Sequence, residues 1–288
     1  MMTNHGLPQC QAASVAEPLG ADGAVRLRRD VIYGRKDGMA LTLDVLAPKE
    51  PNGAGVLWMQ SGGWYSAWQD PANIVPAAQP LLEQGITVFI VYHGSAPKYT
   101  VPEIVEDVRR SVRFVRGRAE EFGVDPERLG VHGTSAGGHL TLVLATTGDD
   151  GDPAADDPVL RESNRVAAAV AFCPPTDIRQ WVTDPPEVIR DAEALHPPLT
   201  FDSTKAGDYS PVLHVTAATP PTLLVHGDQD EIVAVSHSHN LHAELDKQQV
   251  PNRLVVLEGA MHGFDAAQSQ VAVAAMVEWF DTQLVQRK

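Results

Sequence analysis

The chain has 288 residues, 43% of them apolar and 20% charged, enough for one large core and short for two full catalytic domains. Acidic side chains outnumber basic ones 37 to 22, and the resulting charge of −15 repels phosphate backbones and anionic membranes, which argues against nucleic acid as partner or substrate. The sequence has no run of about 18 apolar residues to span a bilayer, and its two cysteines, Cys10 and Cys173, are too few for a disulfide scaffold or a zinc ribbon.

Residues 1–24 are polar and rich in small side chains, which predicts a flexible N-terminal arm. They lack the basic start and apolar stretch of a Sec leader, so a cytoplasmic protein is expected. Strand-like runs at 25–33 and 39–46 follow, joined by the turn signal Lys36-Asp37-Gly38. Beyond Gly53 the texture changes. Short unbroken apolar runs at 55–59, 86–91, 129–132, 166–172, 221–225 and 253–257 suit strands covered on both faces. Between them, residues 101–122 set Ile104, Val108, Val112, Val115, Ala119 and Phe122 at helical spacing; 236–249 and 269–285 also read as helices.

This alternation predicts an α/β fold: one domain over 25–288, with a mostly parallel central sheet of about eight strands and helices on both faces. Two segments break the rhythm. The acidic stretch 148–158 reads as an exposed loop, because Asp149, Asp150, Asp152, Asp156 and Asp157 lack the spacing of a calcium loop. Residues 174–220 are proline-rich and long for a connection, which predicts a small lid or insertion.

The most specific signal is Gly133-Thr134-Ser135-Ala136-Gly137, placed where a strand ends and a helix begins, the context a nucleophile elbow requires. So tight a turn strains the serine backbone and leaves no room for side chains two residues to either side. It lifts the Ser135 hydroxyl above the sheet and sets the Ala136 N–H at the positive end of a helix. Serine needs a base to act as a nucleophile. His262 follows the last strand-like run and Asp230 the one before it, giving the order Ser, Asp, His at the carboxyl ends of three strands. Asp228 is the alternative acid, and Asp230 could instead cap the helix at 236. His132, His139 and His226 are weaker rivals to His262: the first is packed at a strand end, the second lies inside the elbow helix, and the third points into a turn. Cys173 reads as a buried free thiol.

A second oxyanion donor is expected from the loop Gln60-Ser61-Gly62-Gly63-Trp64. At this point the chain resembles the α/β-hydrolase esterases of the hormone-sensitive-lipase, acetyl-esterase and feruloyl-esterase-like group, whose His-Gly-Gly-Gly-Trp motif falls on residues 60–64. The elbow with its trailing Gly138-His139-Leu140 matches, as do the lead-in Phe122-Gly123-Val124-Asp125-Pro126-Glu127-Arg128 and the boxes His226-Gly227-x-x-Asp230 and His262-Gly263-Phe264. The resemblance covers roughly residues 40–285. Gln60 and Ser61 depart from it, as does Tyr92-His93 where the family carries Tyr-Arg. It implies an α/β-hydrolase fold and a carboxylesterase that needs no metal or cofactor. The oxyanion hole would be Gly62, Gly63 and Ala136.

Trp64, Tyr65, Trp68 and Trp181 are candidate pocket residues, and a lid at 174–220 would favour short acyl groups. The expected partner is a small ester, with acylated carbohydrate as one option. Residues 269–285 could supply the interface of a homodimer. A metal site on His237, His239 and His242 is disfavoured, since positions 237 and 239 of a helix point about 200° apart. A serine peptidase and a non-catalytic binding protein on the same fold are the competing readings. The first usually carries a propeller for which 288 residues leave no space, and the second has usually lost a triad member.

Overall fold

The computed structural model describes residues 17–19, 24–95, 98–190 and 197–286. Their organising element is a nine-stranded sheet. β1 (Glu17–Leu19), β2 (Val25–Lys36) and β3 (Met39–Pro48) form an antiparallel flank. After β4 (Gly55–Met59) come α1 (Pro71–Glu83), β5 (Thr87–Val91), α2 (Val101–Gly117) and α3 (Ala119–Phe122). β6 (Leu129–Thr134), α4 (Ala136–Thr147) and β7 (Ala168–Phe172) build the centre. α5 (Arg179–Thr183) and α6 (Glu187–Arg190) precede β8 (Thr222–Gly227), α7 (Ser236–Lys247), β9 (Asn252–Leu257) and α8 (Ala266–Phe280). The spatial order is β1-β2-β3-β5-β4-β6-β7-β8-β9, parallel from β5 onward.

The period of two along the central strands sorts the core into two layers. Val56, Val88 and Ile90 face Ile74, Ala78 and Leu81 of α1 and Met276 and Phe280 of α8. Leu57, Phe89 and Val91 face the opposite layer, with Val108 and Val112 of α2 and Leu140 and Val143 of α4. Phe280 reaches the middle of the sheet because β6 carries a glycine there: a Cβ on Gly130 would come within 2.7 Å of its ring.

The structure adds to the sequence reading in several places. Nine strands are present among the described residues where about eight are expected. The first, Glu17–Leu19, lies in the stretch read as an arm and pairs with β2; the rest of residues 1–23 lies outside the described residues. Helix α1, which carries Pro76 and Pro80, is not among the expected helices. It forms because the Asp70 side chain accepts from Ala72 N–H (3.0 Å), Pro71 sits in its first turn, and its apolar face is buried. The expected helix 101–122 is two, divided at Arg118. The acidic loop is held by ion pairs, Asp149 with Arg113, Asp150 with Arg165 and Asp157 with Arg110, each at 2.6 Å. Among the described residues no helix is long and apolar enough to cross a membrane.

Truncating the ring that fills the Gly130 notch, Phe280→Ala, is expected to lower the unfolding free energy by about 3–5 kcal/mol in urea denaturation, and a loss under about 1 kcal/mol would contradict this packing.

Candidate active site

β6 delivers the elbow. Ser135 takes φ 55° and ψ −121°, a conformation side-chain-bearing residues rarely adopt. It is held there from both sides: its N–H donates to Phe172 O of β7 (2.8 Å), and its carbonyl accepts from His139 N–H (2.9 Å). The flanking glycines are steric requirements. A Cβ on Gly133 would lie 2.4 Å from the Gly137 backbone, and one on Gly137 2.5 Å from Met59 O of the neighbouring strand.

The structure brings Ser135, His262 and Asp230 together. The Ser135 hydroxyl donates to His262 Nε2 (2.9 Å), and His262 Nδ1–H donates to Asp230 Oδ2 (2.8 Å). The Asp230 side chain is wholly buried, while that of His262 keeps 17% of its surface open. Asp230 Oδ1 accepts from Ile232 N–H (2.9 Å) and Val233 N–H (2.8 Å), so this side chain closes its own turn rather than capping α7. Burial pushes its carboxyl up, but hydrogen bonds from His226, His262 and Val233 outweigh burial and hold it well below the usual carboxylate range.

The turn bearing Asp230 also clasps the loop bearing His262. Asp228 N–H donates to Leu257 O (3.2 Å), Asp228 Oδ1 accepts from Gly259 N–H (2.7 Å) and Gln229 N–H donates to Ala260 O (2.9 Å). Glu231 Oε2 accepts from His262 N–H (3.2 Å). A Cβ on Gly227 would fall 2.2 Å from Ala260 O, so the two loops touch where only glycine fits. Asp228, the alternative acid, serves this clasp.

The loop 60–64 departs from expectation at one donor. Gly62 N–H donates to Tyr65 O (3.0 Å) and Tyr65 N–H to Gly62 O (2.9 Å), so the Gly62 amide is spent inside its own turn. Gly63 and Ala136 have amides with no protein acceptor among the described residues, Gly63 at φ 56° and Ala136 in the first turn of α4. Both line a cavity of about 400 Å³ over Ser135, with Pro175, Trp181, Ile189, Ile232, Val233 and Trp64 as its apolar wall. Tyr65 and Trp68, expected in the pocket, are not in that wall: they are 47% and 57% exposed, because the Gly62–Tyr65 turn sends the chain outward.

Trp64 is fixed through His139, the residue read only as part of the elbow helix. The Trp64 indole N–H donates to His139 Nδ1 (3.2 Å), and His139 Nε2–H donates to Tyr209 O (2.7 Å). Burial lowers the pKa of His139 to about 4, so it stays neutral and can make both bonds. His132 is likewise buried and lowered to about 4, donating from Nδ1 to Val170 O (3.0 Å). The His237 ring accepts from Thr176 N–H (3.1 Å), and His242 pairs with Asn252.

Among the described residues one group of three possible metal ligands lies close together, Cys173, His226 and Asp230. Its donor set does not suit an ion. Burial raises the Cys173 thiol to about 12, which keeps it protonated, and both His226 nitrogens and both Asp230 oxygens already have hydrogen-bond partners.

With this geometry established, residues 43–245 match the family model BD-FAE. The chain belongs to the BD-FAE family. It is 28% identical over 266 residues to Esterase LipC of Mycobacterium tuberculosis, covering 83% of this chain and 60% of that protein. The chain spans 51–62% of the length of four curated relatives that it matches over 82–88% of its own length. Among solved structures, the acetyl ester-xyloside bifunctional hydrolase from Caldicellulosiruptor lactoaceticus superposes with a TM-score of 0.74 at 25% identity, over 88% of this chain and 95% of that one. The butyrate-bound esterase Est2 of Thermogutta terrifontis gives 0.74 at 24% identity over 90% and 96%, a likeness of fold. This BD-FAE chain has the α/β-hydrolase fold.

The depressed Asp230 pKa makes a signed prediction. Its ionised form stabilises the fold fully above the unfolded value of about 3.9, and that contribution fades as pH falls toward the folded value. Asp230→Asn is therefore expected to unfold more easily than the parent at pH 7, with the gap narrowing below about pH 4 in a denaturation series. A gap that widens toward acid would contradict the assignment.

Proposed function

We propose that this chain is a serine carboxylic ester hydrolase acting on short-chain acyl esters. The observation that carries the reading is the hydrogen-bonded line Ser135–His262–Asp230, opening on an apolar cavity beside two unclaimed amides. Ser135 Oγ attacks the ester carbonyl carbon as His262 Nε2 takes its proton. Oxygen becomes negative where the Gly63 and Ala136 N–H groups converge, a stabilisation worth about 3–4 kcal/mol per donor. The tetrahedral carbon collapses, the alcohol leaves with the proton from His262, and the acyl group stays on Ser135. Water, deprotonated by the same imidazole, then releases the acid. Asp230 holds the imidazole in the Nδ1–H tautomer and stabilises its charged form.

The cavity supports the substrate class. Its volume of about 400 Å³ is shared between acyl and alcohol groups, and Trp181 and Ile189 close one side of it. Both are described residues of the 174–220 segment. An acetylated carbohydrate is the favoured natural ester, on the strength of the acetyl ester activity named for a structural relative. The charge of −15 favours neutral over anionic esters. The peptidase and binding-protein alternatives have no observation in their favour, and the intact triad opposes the second.

Ser135→Ala is expected to reduce kcat on p-nitrophenyl acetate by about 10⁴-fold or more and to abolish labelling by a fluorophosphonate; a near-normal rate would sink the assignment. On an acyl series, acetate and butyrate esters are expected to turn over faster than decanoate. Faster decanoate hydrolysis would overturn the short-chain reading.

A further inference from the structure

His226 is the penultimate residue of β8 and is fully buried. Its Nε2 stands 2.8 Å from Val233 O and 3.1 Å from Asp230 Oδ2, and its Nδ1 2.7 Å from the Ser238 hydroxyl. Both neighbours of Nε2 are acceptors, so Nε2 carries the proton. In that tautomer Nδ1 accepts from Ser238. Asp230 Oδ2 is thus the meeting point of two imidazole N–H donors, His262 toward the site and His226 from within the fold. With Oδ1 taken by two backbone amides, the bond from His226 completes the set that fixes the carboxylate plane.

We infer that His226 is a positioning residue for the hydrolysis: its shared Nε2–H holds the Asp230 carboxylate in the plane that aims Oδ2 at His262 Nδ1, and ties it to Val233, a wall of the cavity. The inference rests on the serine esterase reading above. His226 acts through Asp230 and touches no substrate position. The titratable groups around it are Asp230 in the following turn, Cys173 at the end of β7 and His237 at the start of α7, with His262 beyond Asp230. Without the His226 donor, the charge on Oδ2 falls undivided on His262. The imidazolium gains stability, and the acid limb of kcat/KM moves to higher pH.

The test uses the full chain with p-nitrophenyl acetate, kcat being normalised to active sites counted by fluorophosphonate labelling. His226→Phe keeps a flat ring without the donor; His226→Gln restores an N–H at similar reach. His226→Phe is expected to lower kcat by about 10- to 100-fold, the size of a lost hydrogen bond to a charged group, with KM nearly unchanged and the acid limb shifted upward. His226→Gln is expected to regain most of the rate and the original limb. If His226→Phe keeps the parental kcat and limb, or if both variants lose rate equally with an unmoved limb, the role is packing alone and the inference fails.

Should His226→Phe not fold, 15N NMR of the parent's histidine rings at pH 8 takes its place: His226 is expected as the Nε2–H tautomer, and an Nδ1–H tautomer overturns the inference. A parent protein that neither hydrolyses the ester nor takes the probe would overturn the esterase reading itself. An active parent with an unaltered His226→Phe overturns this inference alone.

Discussion

Everything at the site depends on one strained residue. Ser135 holds a left-handed backbone angle that costs of order 1–3 kcal/mol, and the surrounding sheet over-determines it. The Phe172 carbonyl on one side, the Met59 carbonyl pressing on Gly137 on the other, and the first turn of α4 above leave no relaxed alternative. The same geometry turns the serine hydroxyl toward His262 and opens the helix N-terminus beneath the cavity. In the proposed function, strain, nucleophile and oxyanion donor are one structural fact seen three ways.

The second half of the site is assembled differently. Asp230 and His262 stand on neighbouring loops that would be independently mobile if only their side chains met. Four further hydrogen bonds and the glycine contact at Gly227 join the loops into one body. The sheet places the elbow, and the clasp places His262 and Asp230 relative to it. His226 continues that logic inward, since its partners Asp230, Val233 and Ser238 come from the turn and helix that follow its strand.

The sequence carried the strand rhythm, the elbow and the triad order, because each depends on local residue types at fixed spacing. What it hid were outcomes of tertiary contact. Helix α1 is not among the expected helices; it forms although Pro76 and Pro80 each remove a backbone hydrogen bond, because Ile74, Ala78 and Leu81 are buried. Gly62 looked like an oxyanion donor because its residue type suited the role, but the direction of its N–H is set by a turn closed at Tyr65. Tyr65 and Trp68 lie beside the oxyanion loop in sequence and outside the cavity in space. The four-residue spacing of His226 and Asp230 was visible; that a buried ring would serve the acid was not, since Ser238 joins it from the next helix.

The 174–220 segment contributes Trp181 and Ile189 to the cavity but no atom to the hydrogen-bonded line from Ser135 to Asp230. Its hydrogen bond to the elbow helix runs through the Tyr209 carbonyl to His139, a carbonyl any residue type at position 209 offers, while Val212 and Val215 pack against the apolar cluster that contains Leu142 of α4. In the proposed function, selectivity and chemistry are therefore carried on separable stretches of polypeptide. If the proposed esterase function holds, such a fold could exchange one ester for another by rewriting the stretch between two adjacent strands, leaving the line from Ser135 to Asp230 intact.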